Sequence, residues 1–129
     1  MRRFGRRRGA NAVEFALVLP VLLTFTFGVI DLGWAHLLRH AASSAATRGA
    51  RSGALTAQTG GPDGRAVAAA QARWNELGLA AAPTIVAFRQ GDPEIMVVRV
   101  QAPLEPLIGF VVSEGTVEVT AVQRMEDQP

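Results

Sequence analysis

The chain has 129 residues, with 13 basic residues, all arginine, against 11 acidic ones, and it contains neither lysine nor cysteine. That length can hold one domain beside an anchor, and the missing cysteines exclude disulfides and thiolate metal sites. Five of the arginines, Arg2, Arg3, Arg6, Arg7 and Arg8, crowd the start of the chain, so the basic pI is a local property; with no aromatic interleaving and no base-reading motif, it does not point to nucleic acid.

The first predicted element is an apolar helix. Phe15 to Ile30 is a run of 16 uncharged residues holding eleven Leu, Val, Ile or Phe. It would be about 24 Å long as a helix, somewhat short of the roughly 30 Å of a bilayer core. Extension from Ala10 to Leu38 makes it long enough and sets Glu14 and Asp31 near the two membrane faces. The apolar side chains contribute on the order of −5 kcal/mol to insertion, and a charge near the end of a span costs less than the ~2.5–3.5 kcal/mol of a central one. A single transmembrane helix over residues 10–38 is therefore expected. Five arginines before the span against Arg39 after it place the N-terminus in the cytoplasm and the rest outside. A cleaved secretory signal is the rival, but the run is followed by Asp31, Leu32, Gly33 and Trp34, and small residues at 41–43 come late. Pro20 and Gly28 interrupt the run; Pro20 either bends the helix or is simply tolerated, as in many membrane helices.

The junction before the run carries a motif. The basic stretch ends at Gly9, followed by Ala10, Asn11, Ala12, Val13, Glu14 and Phe15. A small residue at a basic-to-apolar junction with a lone acid five positions on resembles a prepilin peptidase site. Cutting between Gly9 and Ala10 would make Glu14 the fifth residue of the new chain. A carboxylate entering hydrocarbon needs a partner, and a fresh α-amino group at the same depth is a cation. The simpler alternative for Glu14 is a helix-start acid favoured by the helix dipole.

RRRGANAVEFALVLPVLLTFTFGVIDLGWAHL resembles the start of the TadE-like family, minor pilins or pseudopilins of the tight-adherence (Tad, Flp-type IV) pilus. AASSAATRGARSGA resembles that family's small-residue helix ending, with Thr47 and Arg48 in the Ala-Arg-x-Gly-Ala-Arg region. VRVQAPLEPLIGF and VEVTAVQRMED look like its closing strands, and the likeness is loose between 55 and 83. The resemblance implies cleavage by a membrane prepilin peptidase after Gly9. It also implies a place in the inner membrane or the pilus, and partners among other Tad pilins, minor pilins and the inner-membrane assembly platform. Glu14 and Phe15 would set register between subunits. Major pilins of this type are shorter and carry Glu-Tyr where this chain has Glu14-Phe15, which argues for a minor component. Removing residues 1–9 as a basic leader leaves eight arginines against eleven acids, a formal charge of −3.

Beyond Trp34, a possible interface anchor, the helix should continue through 39–58. Leu38, Ala42, Ala46, Ala50 and Ala54 fall in one row, and Ala41, Ala45, Gly49 and Gly53 in the next. Arg39, Ser43, Thr47 and Arg51, with His40, Ser44, Arg48 and Ser52, form the polar face. So small an apolar face lets another element approach closely, and the chain's own sheet is expected to lean on it. Fraying is expected between Gly49 and Thr59.

Residues 59–129 read as a small extracytoplasmic α+β domain. Asp63 should cap a helix over about 64–77, ended by Gly78, with Val67, Ala70, Trp74 and Leu77 on its inner face and Trp74 plugging the core. Thr84–Gln90, Glu94–Ala102 and Thr116–Arg124 read as three antiparallel strands, the first two joined through Gly91-Asp92-Pro93. Leu104 to Val112 is an apolar connection, either a lid on the core or an exposed contact patch. His36 and His40 stand four apart, but His36 is followed by Leu37 rather than the glutamate of a metalloprotease, and no third ligand is placed. Gly60, Gly61 and Gly64 lack the Lys-Ser/Thr of a phosphate-binding loop. No metal, cofactor or enzymatic activity is expected. The readings are therefore a processed pilin-like subunit, an uncleaved bitopic envelope scaffold, or a soluble binding domain released by signal peptidase.

Overall fold

The computed structural model describes residues 5–56, 60–91 and 94–125. Those limits leave the first four residues of the basic leader, positions 57–59 of the expected fray and the Asp92-Pro93 part of the turn outside the described residues. The architecture is α+β: α1 (Gly5–Ala54), α2 (Pro62–Glu76), β1 (Thr84–Gln90), β2 (Ile95–Leu104) and β3 (Gly115–Arg124).

Helix α1 is continuous for 50 residues, about 75 Å, and Pro20 does not end it. It has two halves of opposite character. From Gly9 to Thr26 it stands clear of the rest of the protein, exposed all round but for a half-buried Leu19. From Leu38 to Ala54 the two small-residue rows are buried: Leu38, Ala41, Ala42, Ala45, Ala46, Ala50 and Ala54 all enter the core.

The glycines of this face show why it is so small. A Cβ on Gly49 would stand 2.7 Å from the Ala66 carbonyl oxygen and 2.9 Å from Ala70 Cβ. One on Gly53 would stand 2.8 Å from Ala66 Cβ. The two helices touch nearly backbone to backbone, so the bulk of the core comes from elsewhere, as Trp74, Met96, Val98 and Val100.

The sheet is an antiparallel meander in the order β1-β2-β3. Its inner face follows the alternation of β2, where Met96, Val98, Val100 and Ala102 are fully buried. Val98 pairs with Ala87 and Ala121, and Val100 with Ile85 and Val119, so each rung sets a small or branched side chain beside the next. β2 runs two residues beyond the expected Ala102. Pro103 lies past the end of β1, where β2 has a neighbour on one side only, so a missing N–H is tolerated there.

Helix α2 corrects two expectations. It starts at Pro62, and the residue before it, Gly61, is left-handed at φ 66° with no side-chain cap. Proline already fixes a helical φ at the first position, which displaces Asp63 from the cap into the first turn. There Arg89 Nε of β1 lies 3.4 Å from Asp63 Oδ1. The buried row is Pro62, Ala66, Ala70 and Trp74; Val67 is half-buried and Leu77 exposed, because strict fourfold spacing wins on a helix this close to its neighbour. Trp74 does plug the core, its indole N–H donating to the Ala81 carbonyl at 2.9 Å. Gly78, at φ 63°, turns the chain out of the helix as expected.

Candidate functional site

Two regions of α1 hold the residues of interest. The first is the start of the helix. Gly9, Ala10, Glu14 and Phe15 all lie within α1 and are exposed, and a Cβ on Gly9 would meet nothing within 4 Å. Among the described residues, nothing in the outer domain covers this end of the rod. Among the described residues Glu14 has neither a side-chain ion pair nor a side-chain hydrogen bond. The Gly9–Ala10 peptide bond sits inside the helix.

The apolar surface that follows is extensive. Val13, Phe15, Leu17, Val18, Val21, Leu22, Leu23 and Phe25 are all exposed. The polar atoms among them are satisfied internally: Thr24 Oγ1 donates to the Pro20 carbonyl and Thr26 Oγ1 to that of Leu22, each at 2.8 Å. α1 is the one helix among the described residues long and apolar enough to cross a membrane. A helix that is apolar all round and uncovered by its own protein fits single-pass anchoring.

The second region lies about 32 Å further along α1, counting 1.5 Å per residue from Ala10 to Asp31. Asp31 is fully buried. Its Oδ1 accepts the Ile108 amide at 3.0 Å, and its Oδ2 accepts those of Phe110 at 2.9 Å and Val111 at 3.3 Å. Successive backbone donors make a concave anion cradle, with Gly109 at φ 74° supplying the turn. Around it the Phe27 and Phe110 rings meet edge to face at 6.3 Å, and Val111 Cγ2 lies 3.2 Å from where a Cβ on Gly28 would stand. One turn further out, Trp34 Nε1 donates to the Glu105 carbonyl at 3.0 Å.

Of the two readings of the β2–β3 connection, the lid on the sheet core is overturned and the exposed patch holds: the connection docks on α1 between Phe27 and Trp34, with Leu107, Ile108, Phe110 and Val111 left exposed. Sequence reading had placed Asp31 near a membrane face without a partner. Its partners are backbone amides more than 75 residues away, which carry no side-chain signature. The available signal was the conjunction of a lone acid in an apolar helix with an apolar, glycine-containing loop.

The polar face of α1 is tied to α2. Glu76 accepts from Arg73 Nη1 at 3.0 Å and Arg48 Nη1 at 3.1 Å, and Arg73 Nε donates to Ser44 Oγ at 2.9 Å. The Arg73 hydrogen bond, helped by the Arg48 charge, holds the Glu76 carboxyl below its ordinary range against some desolvation. His36 and His40 stack edge to face, centroids 5.2 Å apart, and no group of three metal-ligating side chains forms among the described residues.

Residues 9–51 match the model of the TadE-like protein family. The match covers the exposed rod, Asp31 and the small-residue face through Arg51, and stops before α2 and the sheet. No curated protein and no solved structure matches the chain.

Proposed function

We propose that this chain, which carries the TadE-like signature over residues 9–51, is a membrane-anchored minor pilin or pseudopilin of a Tad pilus. The family match and the uncovered apolar rod of α1, falling on the same residues, carry this reading. The rod stores the subunit in the inner membrane and packs against other pilins in the pilus or its base. The N-terminus faces the cytoplasm, because five arginines precede the span. Prepilin peptidase cuts between Gly9 and Ala10, and the new amine meets Glu14 of its own or a neighbouring chain. The role is structural rather than enzymatic, and its partners are the peptidase, other Tad pilins and minor pilins, the assembly platform and lipid.

One observation favours a second reading, an uncleaved bitopic scaffold: the Gly9–Ala10 bond lies inside a helix. A released soluble domain is disfavoured physically. Signal cleavage near Ser43 would cut α1 between Ala42 and Ala46, both fully buried, and remove Leu38 and Ala42 from the core.

Deleting the protein from its native cell and imaging pili tests the function. Loss of Tad pili, restored by the intact chain, is expected. Normal pili in the deletion strain would contradict an assembly role.

A further inference from the structure

The residues exposed on the β2–β3 connection do not stand alone. Leu107, Ile108, Phe110 and Val111 lie beside the turn of α1 where Phe25, Val29, Ile30 and Leu32 are also exposed. Loop and helix thus share one apolar band at a single level. That level is about 32 Å from Ala10 along the rod, against a hydrocarbon core of roughly 30 Å. The band therefore falls where the span meets the headgroups.

Three further features suit that depth. Glu105 and Glu114, both exposed, flank the apolar stretch, so the loop is acidic at its feet and apolar at its tip. Trp34, one turn outward, keeps its indole N–H bonded to the loop's base, an arrangement suited to the membrane interface. Irregular backbone can lie at lipid depth only when the protein satisfies its donors, and a carboxylate there needs partners. The Asp31 cradle gives partners to the carboxylate and to three of the loop's amides with the same three bonds.

We propose that residues 107–111 form a lipid-seated collar, whose side chains enter the leaflet on the side of the sheet domain and fix the depth and tilt of that domain on the bilayer. The proposal rests on the reading of α1 as a membrane span. Its occupant is bilayer lipid, because the patch continues the span's own apolar surface at the span's end.

The chain contains no cysteine, so a single introduced thiol is unique. Leu107→Cys and Phe110→Cys would carry an environment-sensitive fluorophore in the full chain, reconstituted in phosphatidylcholine–phosphatidylglycerol vesicles. Val21→Cys reports mid-span and Thr120→Cys the outer face of the sheet. Quenching is read with nitroxide-labelled lipid and with aqueous iodide. Loss of emission to shallow lipid nitroxide at 107 and 110, with shielding from iodide, supports the collar. Iodide quenching at 107 and 110 equal to that at 120, with 21 quenched by lipid, overturns the collar and leaves the span standing. Shielding from both quenchers assigns the patch to a second copy and also overturns it. If the probe at 21 is not quenched by lipid, the span falls and the collar with it.

Discussion

The amide of Phe110 donates to Oδ2 of Asp31 at 2.9 Å across 79 residues of chain. With the Ile108 and Val111 amides on the same carboxylate, this contact clamps the β2–β3 connection to α1. Asp31→Ala should release the clamp without unfolding the sheet, whose core lies farther along α1. Hydrogen exchange at the amides of residues 108, 110 and 111 should rise sharply, while Val98 and Val100 stay protected. Asp31→Asn should resemble the alanine variant, since its NH2 group confronts donors. Unchanged exchange at the three amides would contradict the clamp.

Gly49 and Gly33 make a matched pair in the same helix. A side chain at 49 meets the Ala66 carbonyl, whereas a Cβ on Gly33 meets nothing within 4 Å. Gly49→Val should destabilise the outer domain by about 1–3 kcal/mol through overpacking. For a domain of this size that lowers Tm by about 4–8 °C per kcal/mol. Gly33→Val should leave Tm nearly unchanged in a thermal scan in detergent. Equal effects of the two would mean that α1 and α2 are not in backbone contact.

The Glu76 clamp predicts a pH dependence with a definite sign. Its carboxyl titrates lower in the folded state than in the unfolded one, so the unfolded state binds more protons in the window between. The stabilisation is present above the unfolded value and is lost as pH falls through the folded value. With Glu76 about half exposed, salt should weaken the effect. Stability measured against pH should fall on the acid side more steeply for the wild type than for Glu76→Gln, and superimposable acid limbs would contradict the clamp.

Among the described residues Glu14 is exposed and has no partner, so its loss should not disturb the fold. Glu14→Ala should insert in membranes and melt like the wild type, but fail to restore pili in a deletion strain. Unchanged piliation would remove the amine–carboxylate pairing from the mechanism.

Local patterns were legible in the sequence, and contacts between distant segments were not. The fourfold rows of alanine and glycine from Leu38 to Ala54 announced the close face of α1, because burial on a helix repeats with its turn. Alternation in β2 and β3 announced the meander. Trp74 was identifiable as a core residue because few other side chains had its volume. The start of α2 was misjudged at Asp63, since Pro62 and a left-handed Gly61 do without a side-chain cap. The docking of residues 105–111 on α1 was illegible for a physical reason: its donors are backbone amides, identical for almost every sequence. The Glu14 motif is a different case. It reads clearly in sequence, and among the described residues Glu14 is exposed, so its role is tested only by the variant above.

Intact-mass spectrometry of the protein taken from its native membrane tests the central claim most directly. A mass corresponding to a chain that begins at Ala10 is the predicted result, with the five arginines gone. A mass that includes Arg2 through Gly9 would contradict processing and leave the uncleaved scaffold as the account of this chain.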